Sequence, residues 1–327
     1  MFFNAPRILG LLLTTLLSIQ FASGATYQNP LKSPNGSDPF MVYNNGFYYL
    51  LTTTWTNIQI TRSTTLGGLK TATPKVVWTD STPSRSGNFW APEVHFLSGC
   101  WYLYYSAGTQ QCCDNQRSHV LQGGTDLWND PFTYAAQMSN EWGIDSTVLT
   151  LPQGNYYVWS RFSNRSLQSI FIAKMNSPTS IGLPHLLSEP TNAWETVGGA
   201  VNEGPAALQH GGKTWLTFSA SYCWTASYQL GLLTYNGGDP LQQSSWTKSG
   251  PVFSSANGNL GTGHNGFFTS PDGTELWNVY HATKTPGGAC DGSRYTMAQK
   301  MNWNTDGSPN FGRAPNLMTI LQGPSGE

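Results

Sequence analysis

A turn glycine followed by an aromatic-rich β run recurs five times along this 327-residue chain. The copies are Gly46-FYYLLTT, Gly99-CWYLYYSA, Gly154-NYYVWSRF, Gly212-KTWLTFSA and Gly273-TELWNVYHA. Successive glycines lie 53, 55, 58 and 61 residues apart. Self-similarity at this period marks a propeller or a solenoid, and the β composition selects the propeller. A four-stranded blade with its loops needs roughly 40–60 residues. The 54 residues from Gly273 to Glu327 complete one blade, so five blades fit and six do not. A short strand near Tyr27–Asn29 is expected to complete the last blade and close the ring. Residues 25–327 therefore read as one all-β domain, a five-bladed β-propeller.

Composition narrows the function classes. Charged residues are 10% of the chain and aromatics 13%, against a usual quarter charged. That excludes a coiled coil, a Lys/Glu-rich bundle and a disordered chain. Net charge is −1 and there is no Lys/Arg run, so no nucleic-acid partner is expected. Residues 8–19 form a short apolar run after Arg7, and Ala22-Ser23-Gly24 follow it. This pattern predicts a secretory signal peptide over residues 1–24. The run is too short to span a bilayer, which takes about 20 apolar residues. A secreted monomer with no membrane contact in its mature form is expected. Its five cysteines leave at least one thiol unpaired. Cys112 and Cys113 either pair with each other or compete for one partner. Asn35-Gly-Ser and Asn164-Arg-Ser are glycosylation sequons.

A polar residue precedes each turn glycine by six to nine positions, in an apolar or Gly/Pro setting. These are Asp38, Glu93, Asp145, Glu203 and His264. If each begins an innermost strand, all five occupy equivalent positions and gather at one end of the central channel. Four acids and a histidine on one axis are hard to assign to turn chemistry alone. Crowded carboxylates in a partly dry site cannot all ionise, so one is pushed towards its neutral form. That is the arrangement acid–base catalysis needs. Hydrolysis of a glycosidic bond uses one protonated carboxyl and one ionised carboxylate. The aromatics suit sugar C–H faces, with Trp90 as a candidate wall of the pocket. Arg294 offers a fork of donors for vicinal hydroxyls. No catalytic metal motif is present, and no cofactor is required. A structural calcium or sodium ion on the axis near His264 is a secondary expectation. His281 and His210 read as structural.

These pieces together resemble glycoside hydrolase family 43, whose members are five-bladed propellers acting on arabinose- and xylose-containing polysaccharides. The matching segments are Ser37-Asp38-Pro-Phe, Phe89-Trp90-Ala-Pro-Glu93-Val-His95, Gly143-Ile-Asp145-Ser, Asn202-Glu203-Gly-Pro and Gly261-Thr-Gly-His264. The resemblance implies an inverting mechanism with Asp38 as general base and Glu203 as general acid. Asp145 would tune the acid's pKa and position the sugar. Trp90, Glu93, His264 and Arg294 would bind substrate. The 54 residues after Gly273 leave no room for the extra sandwich domain usual in the family's β-xylosidases, so a xylosidase is not expected. Ser219-Ala-Ser-Tyr-Cys-Trp-Thr and Gly288-Ala-Cys-Asp-Gly-Ser-Arg-Tyr look most like the exo-α-1,5-L-arabinofuranosidases of fungi and actinobacteria. The expected substrate is then plant cell-wall arabinan or arabino-oligosaccharides. An endo-arabinanase or a non-catalytic sugar-binding propeller would share much of this pattern. Cys223 and Cys290 lie in the two loops of the closer resemblance, and they are expected to pair there and brace the pocket rim.

Overall fold

The computed structural model describes Met1 and residues 25–327. Apart from Met1, the segment read as a signal peptide lies outside the described residues. Five antiparallel sheets follow one another along the chain. Blade I is Phe40–Asn44, Phe47–Leu51, Ile58–Ser63 and Lys75–Trp78. Blade II is Gly87–Leu97, Cys100–Gly108, Arg117–Gln122 and Thr133–Gln137. Blade III is Ile144–Leu151, Gly154–Phe162, Gln168–Ser177 and His185–Ser188, with Ser180–Ile181 at its edge. Blade IV is Asn202–His210, Lys213–Ala220, Gln229–Tyr235 and Trp246–Phe253. Blade V is Leu260–Thr269, Leu276–Thr283 and Tyr295–Lys300. The first strand of each blade packs on the first strands of its two neighbours, and blade V meets blade I. The sheets therefore form a closed five-bladed propeller.

The repeat has a direct backbone cause. The five repeat glycines sit in the turns between first and second strands, with φ from +73° to +124°. Around Gly46, Gly99, Gly212 and Gly273 an added Cβ would meet nothing within 4 Å. Backbone conformation, not crowding, is what selects glycine there.

The aromatic runs fill the wedges between blades, and five buried clusters occupy the five interfaces. Tyr49 and Ile60 of blade I pack with Trp101 and Tyr105 of blade II. Tyr104 of blade II packs with Tyr157 and Trp159 of blade III. Val158 and Ile170 meet Leu216 and Phe218 of blade IV. Trp215 and Leu230 meet Tyr280 and Met297 of blade V. Tyr48 and Met41 meet Phe268 and Trp277, which closes the ring. Each such side chain contributes about 1.5–3 kcal/mol through burial.

Closure differs in detail from the expected strand at Tyr27–Asn29. Thr26–Tyr27 pairs with Leu321–Gln322 near the C-terminus, not with blade V. The N-terminal segment meets blade V through a backbone bridge, Lys32 with Thr296, and through further backbone hydrogen bonds on to Arg294. Beside that bridge the Asn29 side chain replaces a ladder rung. Its Oδ1 accepts the Ala298 N–H and its Nδ2 donates to the Ala298 carbonyl, both at 3.0 Å. Pro30 has no N–H to donate, so a continuous ladder could not run through it.

Candidate active site

A β-bulge at the start of the first strand of blades II, III, IV and V builds the site. The ladder slips between Trp90 and Glu93, Ile144 and Thr147, Glu203 and Ala206, and Gly263 and Gly266. Inside each slip one residue is left-handed: Ala91 (φ +43°), Asp145 (+58°), Gly204 (+53°) and His264 (+43°). In blade I the same conformation falls on Asp38 (+53°), just before the first strand. Bulges re-aim side chains, and here they turn them towards the axis.

Positive φ is strained for these non-glycine residues, at roughly 1–3 kcal/mol each. A ring of hydrogen bonds holds the conformation. Each bulge N–H donates to a side chain at the end of the preceding blade's second strand. The pairs are Ala91 to Thr53 Oγ1 (2.9 Å), Asp145 to Ser106 Oγ (3.1 Å), His264 to Ser219 Oγ (2.7 Å) and Asp38 to His281 Nδ1 (3.1 Å). Gly204 departs from the rule, since its N–H donates to Asp145 Oδ2 at 3.2 Å.

This geometry corrects the expectation of five equivalent polar positions. The equivalent residues are Asp38, Ala91, Asp145, Gly204 and His264. Glu203 stands one residue ahead of its bulge, at the register of Trp90, and Glu93 stands two residues behind. The extra residue of a bulge shifts what spacing alone takes as equivalent.

Asp38, Asp145, Glu203 and His264 nevertheless converge. Asp38 Oδ1 lies 3.0 Å from Arg294 Nη1 and 3.3 Å from both His264 Nδ1 and His281 Nδ1. Its Oδ2 accepts the Thr53 hydroxyl at 2.6 Å. Burial would raise its pKa, but Arg294, His264 and His281 hold it well below the usual carboxylate range. Asp145 Oδ2 lies 3.8 Å from His264 Nδ1. Burial pushes the Asp145 carboxyl up to about 7; His264 opposes this, and the charges of Glu203 and Asp38 add to it. Glu203 Oε1 accepts the Tyr228 hydroxyl at 2.9 Å and Oε2 accepts Gln168 Nε2 at 2.8 Å. Burial raises its pKa as well, and the Asp38 charge reinforces the rise. Burial lowers the pKa of His264, but Asp145, Asp38 and Glu203 outweigh it and raise it overall. The site thus holds an ionised carboxylate opposite two carboxyls that resist ionisation.

The remaining predicted residues fall as follows. Arg294 is buried and spends Nη1 on Asp38 and Nε on the Asp291 carbonyl. Trp90 is half-buried, and its indole N–H has no partner. Glu93 is paired with His95 Nε2 at 2.8 Å, and no hydrogen bond or ion pair joins it to the other acids among the described residues.

Sequence reading missed His281, Thr53, Gln168 and Tyr228. The sequence reads His281 as structural, yet it touches the most acidic carboxylate of the cluster, and burial lowers its own pKa to about 4. The signal was present in the repeat: Thr53, Ser106, Ser160, Ser219 and His281 close the five aromatic runs. Ser160 also bonds across the seam, to the Asn202 carbonyl at 2.8 Å. A histidine where its counterparts are hydroxyls marks a departure from the repeat.

His264 directs Nδ1 at Asp38 and Asp145, which leaves it only Nε2 for an axial ion. No group of three His, Cys, Asp or Glu side chains is arranged to hold a metal among the described residues. Such an ion would draw its other ligands from water or backbone. Cys223 and Cys290 form the expected disulfide, with Cα atoms 5.2 Å apart, and so tie the upper loops of blades IV and V. Cys112 pairs with Cys113, and Cys100 is free. A cavity of about 560 Å³ lined by His210, Glu275, Lys300 and Trp303 lies by the hairpin turns of blades IV and V, and none of Asp38, Glu93, Asp145 and Glu203 borders it.

The glycosyl hydrolases family 43 model matches residues 27–309. The chain belongs to glycoside hydrolase family 43. It is 40% identical over 306 residues to an extracellular exo-α-(1→5)-L-arabinofuranosidase of Streptomyces avermitilis, covering 88% of this chain and 63% of that protein. The chain thus spans less than two thirds of that relative. It is 33% identical to an exo-α-(1→5)-L-arabinofuranosidase of Streptomyces chartreusis, covering 79% of this chain and 83% of the relative. The crystal structure of an α-L-arabinofuranosidase from Lactobacillus brevis superposes with a TM-score of 0.83 at 32% identity, covering 90% of this chain and 98% of the other. The propeller is thus that of a family 43 member.

Proposed function

We propose that this protein is a secreted, inverting glycoside hydrolase that releases single L-arabinofuranose units from the non-reducing end of α-1,5-linked arabinan. The observation that carries this reading is the asymmetry of the buried carboxylates. Asp38 is held ionised by Arg294, while Glu203 and Asp145 are pushed towards neutrality. An ionised base facing a protonated acid is what glycoside hydrolysis requires, and a binding module has no need of it. The exo-arabinofuranosidases among the relatives support the substrate.

In this mechanism the terminal arabinofuranose enters above the bulges and meets Trp90. Glu203 gives its proton to the linking oxygen as the glycosidic bond breaks. Asp38 takes a proton from a water that attacks the opposite face of the sugar. The anomeric configuration inverts, and the carboxyls exchange protonation states before the next turnover. Burial and the charge of Asp38 keep Glu203 protonated, and Asp145, itself pushed towards neutrality beside it, positions the sugar. His264 lies between Asp38 and Asp145 and faces both through Nδ1. Both proton transfers belong to side chains. An ion beside His264 would serve the fold, and chelator titration of thermal stability tests for it.

A product time course on linear arabinan, with Asp38→Asn as control, tests the reading. Arabinose alone from the first minutes is expected. An early ladder of oligosaccharides would make the enzyme endo-acting. Turnover unchanged in Asp38→Asn would remove the base assignment.

A further inference from the structure

Tyr228 joins the surroundings of the proposed acid to those of the proposed base. It precedes the third strand of blade IV and is 1% exposed. Its hydroxyl donates to Glu203 Oε1 at 2.9 Å. Its ring stacks on His281, with centroids 5.4 Å apart and planes 12° from parallel. His281 in turn accepts the Asp38 N–H and lies 3.3 Å from Asp38 Oδ1. Gly263 lies so close that an added Cβ would come within 2.5 Å of the ring edge. The ring has no room to swing.

We propose that Tyr228 is a positioning residue for Glu203: it fixes the carboxyl's orientation and stabilises the charge that appears there as the proton leaves. The proposal rests on Glu203 being the general acid. A carboxyl has about four lone-pair sites. Gln168 and Tyr228 take one on each oxygen, so the acidic proton must occupy a site aimed elsewhere. A hydrogen bond to a charged acceptor is worth more than one to a neutral acceptor. The phenol bond therefore strengthens as Glu203 ionises during glycosidic cleavage, and it favours the transition state over the ground state. The Tyr228–His281 stack carries this alignment across to Asp38, so the acid and the base hold one relative orientation. Other groups also act on Glu203. They are Asp38 from blade I, Asp145 and Gln168 from blade III, and His264 from blade V, with Arg294 and His281 behind Asp38. None of these changes in Tyr228→Phe, which keeps the ring and its stack.

The test compares Tyr228→Phe with Glu203→Gln in pH–rate profiles on arabinotriose and on an aryl arabinofuranoside with a good leaving group. Losing a donor to the carboxylate raises the acid's pKa. The alkaline limb of kcat/KM should move up by about one pH unit in Tyr228→Phe. Turnover of arabinotriose should fall about tenfold, and that of the aryl substrate much less. Placing 3-fluorotyrosine at position 228 alone, a stronger donor of nearly the same shape, should move the limb the other way. An alkaline limb unmoved by both changes would overturn the proposal, even if Glu203→Gln shows the leaving-group contrast. Equal loss on both substrates in Glu203→Gln would instead overturn the acid assignment beneath it. Thermal unfolding checks that Tyr228→Phe is folded; if it is not, the fluorotyrosine shift decides.

Discussion

Arg294 separates two readings of this site. The family resemblance implies a residue that binds sugar hydroxyls. The structure shows a guanidinium 3.0 Å from Asp38 Oδ1, with both groups buried. Replacing Arg294 with Met keeps most of the volume and removes the charge. Breaking a buried pair from one side costs about 3–5 kcal/mol. At 1.36 kcal/mol per unit, that cost converts to a rise of about two to four units in the pKa of Asp38. Burial, the largest influence on this carboxyl, would then be opposed by the histidines alone. The base is active only when ionised, so the acidic limb of kcat/KM should move up by the same amount. The loss relative to wild type should be greatest at low pH and should shrink as pH rises. Arg294→Lys keeps a charge without the fork and should fall between. Stability follows the same sign. A carboxyl with a lowered folded pKa stabilises the fold above its unfolded value, near pH 4, and loses that contribution as pH falls through its folded value. The acid-unfolding midpoint of Arg294→Met should therefore lie at higher pH than that of wild type. A residue that only grips sugar hydroxyls would raise KM at every pH and leave the limb in place. An unmoved acidic limb in a folded Arg294→Met would refute the electrostatic reading.

Asp145 predicts the opposite pH trend. Its folded pKa of about 7 lies above the unfolded value, so its contribution to stability is present at low pH and lost as pH rises from about 4 to 7. Asp145→Asn should melt higher than wild type at pH 8, and the gain should shrink as pH falls and vanish below about pH 4 in calorimetry. Reducing Cys223–Cys290 frees a link between residues 67 positions apart, worth up to about 4 kcal/mol on the chain-entropy scale. Cys223→Ser paired with Cys290→Ser should lower the melting temperature and raise KM by loosening the rim; a change in neither would leave the brace without a role. Both sequon asparagines are exposed, Asn164 in a turn, but Asn35 is pinned by its N–H to the Gly292 carbonyl at 2.8 Å, with its side chain against Gly292. Peptide mass mapping of secreted protein should find glycan on Asn164 and none on Asn35.

Much of this architecture is legible in the sequence because its causes are local. A turn that needs positive φ calls for glycine, and a wedge between blades calls for aromatic runs, so five blades can be counted. Asp38, Asp145, Glu203 and His264 stand out as polar residues in apolar, Gly/Pro-rich settings within a charge-poor chain. What stayed hidden depends on register or on distance along the chain. A bulge adds one residue without leaving a composition signal, so Glu93 looked equivalent to Glu203 although it turns to His95 instead. Gln168 begins a third strand and Tyr228 sits in a loop, and both reach the acid only through the blade's curvature. The closing contact was hidden because the Asn29 side chain imitates backbone at the point where Pro30 forbids a ladder.

The position of Asp38 shows how far this site depends on ring closure. Asp38 and Arg294 are 256 residues apart in sequence and 3.0 Å apart in space. What joins them is a pair of crossing segments. The Leu31 N–H donates to the Thr296 carbonyl, the Thr296 N–H to the Lys32 carbonyl, the Asn35 N–H to the Gly292 carbonyl and the Gly36 N–H to the Arg294 carbonyl. These bonds bring the residues just before Asp38 alongside the segment that carries Arg294. His281, which accepts the Asp38 N–H, also comes from blade V. The proposed acid, by contrast, is held by Gln168 and Tyr228 from blades III and IV, within 35 and 25 residues of Glu203. The acid's surroundings are therefore nearly local, and the base's span most of the chain. Loop closure is costly until the contacts that reward it exist. The base can take its ionised, hydrogen-bonded form only once blade V is complete and the ring has shut. Any change that loosens the seam between blades V and I should therefore weaken the base before it weakens the acid, and the acidic limb of the pH profile is where that order of failure becomes visible.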